Sequence, residues 1–143
     1  MSYNTLRTGR HSISGQVYHI TTVTRNRSPI FNNLLAGRVV VKELKALEDD
    51  GRAETLCFVV MPDHLHWLLS LKAGTLGDAV RRLKGRTSHT LGGQPWQPNY
   101  HDHALRREED LPATARYIVS NPVRAGLVAR VGEYSLWDAV WLA

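Results

Sequence analysis

At 143 residues the chain matches the ~100–200 expected of one domain, so a second unit with its own core does not fit. Hydrophobic residues at 43% and charged residues at 22% exclude a disordered or low-complexity chain. The formal charge of +5 comes from 18 basic and 13 acidic residues.

No apolar run approaches the ~20 residues of a membrane helix. The polar start also lacks the apolar centre of a secretion signal. The single cysteine, Cys57, allows no intrachain disulfide and no Cys-rich zinc site, which points to a reducing, cytoplasmic setting. One domain is expected over 1–143, with 1–15 a basic arm and 122–143 a C-terminal tail. The basic residues are mostly Arg and unevenly placed. Arg7, Arg10, Arg25, Arg27, Arg38 and Lys42 precede the first carboxylate, Glu43. Lys72, Arg81, Arg82, Lys84 and Arg86 face only Asp78, and an acidic stretch from Glu43 to Asp63 separates the two blocks. Arg favours planar, bidentate contacts with phosphate or guanine, so the pattern reads either as a nucleic-acid face or as a solvated surface.

In chain order, 16–25 is rich in β-branched and aromatic residues and predicts a strand. From Leu34 to Leu47, apolar residues recur at helical spacing between Lys42, Lys45 and Glu48. Strands follow at Glu54–Met61 and His64–Leu71, and the short Pro62-Asp63 link makes them an antiparallel hairpin. Thr75, with Asp78 three residues on, opens a helix whose buried stripe is Leu76, Ala79, Val80 and Leu83. A fourth strand is expected over Trp96–Leu105, and a further helix over Leu111–Asn121 that Pro122 ends or redirects. Strand, helix, strand, strand, helix, strand is the split βαβ, ferredoxin-like pattern of an α+β fold, with an antiparallel sheet and two helices on one face. The tail, with Tyr134, Trp137 and Trp141, is expected to pack back on the core.

The densest chemical signal is Met61-Pro62-Asp63-His64-Leu65-His66-Trp67. Residues two apart on a strand share a face about 6.6 Å apart, so His64 and His66 point together while Leu65, Trp67, Leu69 and Leu71 face the core. The pair suits a metal beside a turn open to substrate, or else two hydrogen-bonded surface histidines. Tyr117 lies at the edge of the stripe formed by Leu111, Ala115, Ile118 and Val119, with Asn121 one turn on. Together they would present a nucleophile and an oxygen ligand, or else a border residue and a helix cap. A second alternating pair, His101 and His103, would serve as another metal site or, with Asp102 and Arg106, bind DNA or the tyrosine helix. His19 reads as structural.

With 15–21, Arg82–Arg86, Tyr100–Arg106 and the run Tyr117-Ile118-Val119-Ser120-Asn121-Pro122-Val123-Arg124-Ala125-Gly126-Leu127-Val128, these segments cover most of the chain. In that order they resemble the REP-associated tyrosine transposases, the single-tyrosine branch of the HUH endonucleases. The resemblance implies His64 and His66 as metal ligands, Tyr117 as nucleophile and Asn121 as third ligand, although related transposases place a glutamine there. It implies single-stranded DNA hairpins of repetitive extragenic palindromes as substrate, cut and rejoined through a 5′-phosphotyrosine, in a nucleoid-associated protein.

Arg7, Arg10, Arg81, Arg82, Lys84, Arg86, His103, Arg106 and Arg124 are the expected DNA-binding residues. The ion would be manganese or magnesium, with nitrogen ligands favouring manganese. A monomer is expected, with a dimer the alternative. The competing function is a domesticated hairpin-binding module without turnover. Zinc nucleobase deaminases are excluded, since they need H-x-E and a later C-x-x-C. No phosphate-cradling G-x-x-x-x-G-K-[ST] loop is present, so no nucleotide cofactor is expected.

Overall fold

A computed structural model describes residues 15–106 and 111–140. The basic arm bearing Arg7 and Arg10, and Trp141 of the tail, lie outside the described residues. Strands β1 (Val17–Val23), β2 (Ala53–Met61), β3 (His64–Leu71), β4 (His101–Ala104) and β5 (Trp137–Ala139) form one sheet in the order β4-β1-β3-β2-β5. Every recorded pairing is antiparallel. The first four strands have the ferredoxin-like order expected from the sequence. Two long helices, α1 (Leu34–Asp49) and α2 (Leu76–Leu91), connect them, followed by α3 (Leu111–Val119) and the single turn α4 (Asn121–Arg124).

Local chemistry explains the helix starts. The Asn33 side chain accepts from the Leu35 and Ala36 amides and caps α1. Thr75 accepts from the Asp78 amide at 3.0 Å and caps α2. Gly92, at φ +81°, ends α2 in a conformation that side chains resist. Both helices lie on one sheet face, where Ile20, Leu65, Trp67, Leu69 and Leu71 pack with Val40, Leu44 and Leu47 of α1 and Val80 and Leu83 of α2. The buried Trp67 indole satisfies its N–H on Thr55 Oγ1 at 3.0 Å. A smaller core lies on the opposite face, where Cys57, Val59, Met61 and Leu68 meet Ala115, Ile118 and Val119 of α3.

Two expectations need correction, and the tail, which packs on the core as expected, forms an additional element. The strand expected over Trp96–Leu105 is only His101–Ala104. Pro98 cannot donate to a ladder, and Lys84 Nζ captures the carbonyls of Gln97 and Asn99 at 2.9 and 3.0 Å, so 97–99 is held as a loop. Trp96 makes a single bridge to Thr24 instead. The helix expected over Leu111–Asn121 stops at Val119, and Pro122 sits at the start of the new turn α4, where its missing N–H costs nothing. The tail adds a fifth strand, with Val59↔Trp137 and Cys57↔Ala139 on the edge of β2. Three residues are too few for alternation to show in the sequence. Gly37 makes room for this segment, since a Cβ there would collide with the buried Leu136 side chain. Among the described residues, no helix is long and apolar enough to cross a membrane.

Thr22 is fully buried and its hydroxyl has no partner. An unsatisfied buried hydroxyl is costly, and valine has the same shape and suits a strand. Thr22→Val should therefore stabilise the fold by about 1 kcal/mol, read as a higher urea midpoint at unchanged slope.

Candidate active site on the open sheet face

Strand register assembles the site. Thr21 lies opposite His66 and Val23 opposite His64 on β1–β3, while His19 lies opposite His103 and Thr21 opposite His101 on β1–β4. Directly opposed residues share a face, so all five histidines and Thr21 stand on the side away from α1 and α2. The His64 and His66 rings are edge to face with centroids 4.9 Å apart, as their spacing predicts. His19, expected to be structural only, supports His66 directly, its Nε2 lying 3.0 Å from His66 Nδ1. Thr21 Oγ1 is 3.2 Å from the same nitrogen. The alternation of His19 and Thr21 on β1 was the signal available for this contact.

These contacts decide which ring nitrogens remain for other partners. His64 Nδ1 lies 2.7 Å from Asp63 Oδ1, and Asp63 Oδ2 accepts from Arg27 at 3.0 Å. A carboxylate on Nδ1–H places the lone pair of a neutral His64 on Nε2. His66 Nδ1 is likewise engaged, which leaves its Nε2. Burial first, then the charges of His19, His64 and Arg124, push the His66 pKa down to about 3. Burial and His103 lower that of His19 as well. Burial acts to raise the Asp63 pKa, but its bonds to His64 and Arg27 outweigh this and lower it. His66 is therefore neutral, as a metal ligand must be.

The tyrosine lies on the smaller core. Ala115, Ile118 and Val119 anchor α3, which leaves Tyr117 64% exposed. The Arg124 guanidinium lies over the Tyr117 ring, 3.9 Å from its centroid. Its Nη1 donates to the Tyr117 carbonyl at 2.8 Å and also contacts Ser120 Oγ. The charge of the same guanidinium is the least of the contributions that lower the His66 pKa. Asn121 is partly buried at the start of α4, where its amide nitrogen donates to the Ile118 carbonyl at 2.8 Å. Among the described residues, no three His, Cys, Asp or Glu side chains converge as a metal site.

The expected DNA-binding residues of α2 are engaged with protein groups. Asp78 pairs with Arg82 at 3.0 Å, with Arg52 at 3.3 Å and with Arg81. Arg86 pairs with Glu43 at 3.0 Å and with Asp50 at 3.6 Å. The pairs that exposed Arg81 and Arg82 make with Asp78 contribute little to stability. Lys84 is differently placed, because its Nζ holds loop carbonyls in position. His103 and Arg106 stand at and just beyond β4, on the far side of β1 from His66.

The profile of the family described as "Transposase IS200 like" matches residues 12–121, a span that includes His64, His66, Tyr117 and Asn121. The chain belongs to this family. A REP-associated tyrosine transposase of Escherichia coli K12 is 28% identical over 130 residues, covering 87% of this chain and 77% of the relative. A solved REP-associated tyrosine transposase bound to a REP hairpin superposes with a TM-score of 0.78 at 27% identity, covering 90% of this chain and 79% of the other. A second solved structure, from Deinococcus radiodurans, has a TM-score of 0.57 at 22% identity over 79% of this chain and 95% of the other, and speaks for the fold alone.

A histidine kept neutral by the fold but free to protonate when unfolded gives a definite acid sensitivity. With the His66 pKa near 3 against an ordinary 6.5, its contribution is complete above about pH 6.5 and is lost as pH falls toward 3. In the presence of chelator, His66→Gln should flatten the fall in urea midpoint between pH 6.5 and 4. An unchanged profile would place the acid sensitivity elsewhere.

Proposed function

We propose that the chain is a metal-dependent single-stranded DNA endonuclease and strand transferase that acts on palindromic hairpins through Tyr117. The observation that carries this reading is the facing pair of His64 and His66, oriented by Asp63 and by His19 with Thr21, within a family match that also spans Tyr117. The similarity to a transposase solved on a REP hairpin supports hairpins of repetitive extragenic palindromes as the substrate.

The donor set fits a divalent cation, with His64 and His66 offering Nε2 and Asn121 an amide oxygen. Manganese or magnesium held there would neutralise charge on the scissile phosphate as a Lewis acid. Tyr117 Oη attacks the phosphorus, forming the tyrosyl O–P bond and breaking the bond to the 3′-oxygen. The phenol proton goes to solvent, and the departing 3′-oxygen takes one up as a hydroxyl. Arg124 confines the Tyr117 ring, reducing the orientations from which attack must be selected. Arg124, Arg81, Arg82, Arg86, His103 and Arg106 are assigned to the DNA, whereas Lys84 acts by shaping the loop beside it. The packing of α3 on β2 of its own chain supports a site built within one protomer, with a dimer the alternative.

Tyr117→Phe keeps the ring and removes the hydroxyl, so a labelled hairpin should bind with affinity within about twofold of native and give no covalent adduct on a denaturing gel. His64→Ala should lose metal-dependent cleavage while the protein stays folded, since His64 lies on the face opposite the main core. Adduct formation by Tyr117→Phe would move the nucleophile elsewhere. Hairpin binding by the native protein without any adduct would establish the non-catalytic module instead.

A further inference from the structure

The two histidines of the candidate metal pair are backed by different chemistry. Asp63 Oδ1 lies 2.7 Å from His64 Nδ1, and an ionised carboxylate only accepts, so this contact has a single polarity. It holds the proton of a neutral His64 on Nδ1 and the lone pair on Nε2. Behind His66 Nδ1 stand His19 Nε2 at 3.0 Å and Thr21 Oγ1 at 3.2 Å. An imidazole nitrogen donates in one tautomer and accepts in the other, and a hydroxyl does both, so the polarity of these contacts is a real choice.

That choice decides what His66 can bind. If His19 Nε2–H donates, the proton of a neutral His66 sits on its own Nε2, which then has no lone pair for an ion. If His19 Nε2 accepts, the proton sits on His66 Nδ1 and the lone pair on Nε2. An ion binds only the second form, so a group that favours this form strengthens binding in proportion to its population.

Placement puts the choice on His19. It is the nearer partner, and its ring lies 5.2 Å from that of His66 between centroids, tilted by 39°. Its backbone is held on both sides, opposite Leu68 of β3 and His103 of β4, and its neighbours Tyr18 and Ile20 are buried. The Thr21 hydroxyl turns to meet either tautomer and so selects neither.

We propose that His19 is a positioning residue for the metal, its Nε2 accepting from His66 Nδ1–H and thereby keeping the His66 lone pair on Nε2. The inference rests on the reading of His64 and His66 as metal ligands and names what sets the affinity of that pair. A carboxylate raises the basicity of the imidazole it backs, so His64 is the firmer ligand and His66 the one that a change behind it weakens.

The test uses the full chain with His19→Leu, which keeps bulk and removes the acceptor, and His19→Gln, which restores an accepting oxygen. Position 19 is half-buried and outside the main core, so both variants are expected to fold. Nitrogen NMR of the ion-free protein reads which ring nitrogen of His66 carries the proton. Manganese(II) alone, followed by loss of its free-ion paramagnetic resonance signal, gives the affinity without DNA or turnover.

Native protein and His19→Gln should both carry the His66 proton on Nδ1 and bind manganese within about threefold of each other. His19→Leu should lose that preference, with His64 unchanged in the same spectrum, and bind manganese about 10–100-fold more weakly. Native affinity in His19→Leu, a His66 proton on Nε2 in the native protein, or a His19→Gln as weak as His19→Leu overturns the role of His19. Native protein that binds no manganese overturns the metal reading instead, and the nitrogen spectrum tells the two failures apart.

Discussion

The pairing of β1 with β3 is the constraint on which the site depends. Thr21 opposite His66 and His19 opposite Leu68 put the two supporting groups beside the His66 ring, while Ile20 opposite Trp67 and Thr22 opposite Leu65 fill the other face. Because side chains alternate with a period of two, a slip of one residue would present Tyr18, Ile20 and Thr22 to the histidines and bury His19 and Thr21 in the main core. The register is held by apolar side chains that take no part in the chemistry, among them the fully buried Ile20, Leu65, Trp67 and Leu69. Burial on one face thus sets polar geometry on the other.

The turn after β1, which packs against the hairpin tip, shows the same coupling at a local cost. Asn26 and Arg27 have φ of +57° and +51°, a region that side chains seldom adopt and that costs about 1–3 kcal/mol per residue. Thr24 holds the turn in place, its hydroxyl donating to the carbonyls of Ser28 and Asp63 at 2.8 and 3.1 Å. The conformation brings Arg27 onto Asp63, and Asp63 onto His64. An exposed Arg–Asp pair alone contributes little to stability, so the strain is better understood through the His64 ring that it fixes.

Elements defined by period and punctuation were legible in the sequence. The hairpin around Pro62-Asp63, the capped helices and the ferredoxin-like order follow from alternation, helical spacing and Thr75 with Asp78. The facing histidines were legible for the same reason. Interactions between segments distant in sequence were not. Nothing local to Lys84 reveals that its ammonium group holds the carbonyls near Pro98, nor does Trp137-Asp138-Ala139 contain enough residues to declare a strand. The role of His19 needed the β1–β3 register, and the pairing of Arg86 with Glu43 needed the packing of α2 on α1.

The exposure of Tyr117 bears on the reaction proposed for it. A tyrosine that becomes covalently joined to a DNA strand must have room for that strand, and a ring buried in the smaller core would have none. The helix divides these demands between its faces, with Ala115, Ile118 and Val119 fixing it to the sheet and Tyr117 outside. Exposure alone would leave the ring free to sample its rotamers, at an entropic cost to each productive encounter. The Arg124 guanidinium over the ring reduces that freedom while the residue stays largely exposed. Exchange of a phosphodiester for a phosphotyrosine ester also conserves the number and kind of bonds, so the adduct retains what is needed to rejoin a 3′-hydroxyl. A chain without a nucleotide-binding loop is sufficient for such an exchange, provided that the same geometry serves attack in both directions.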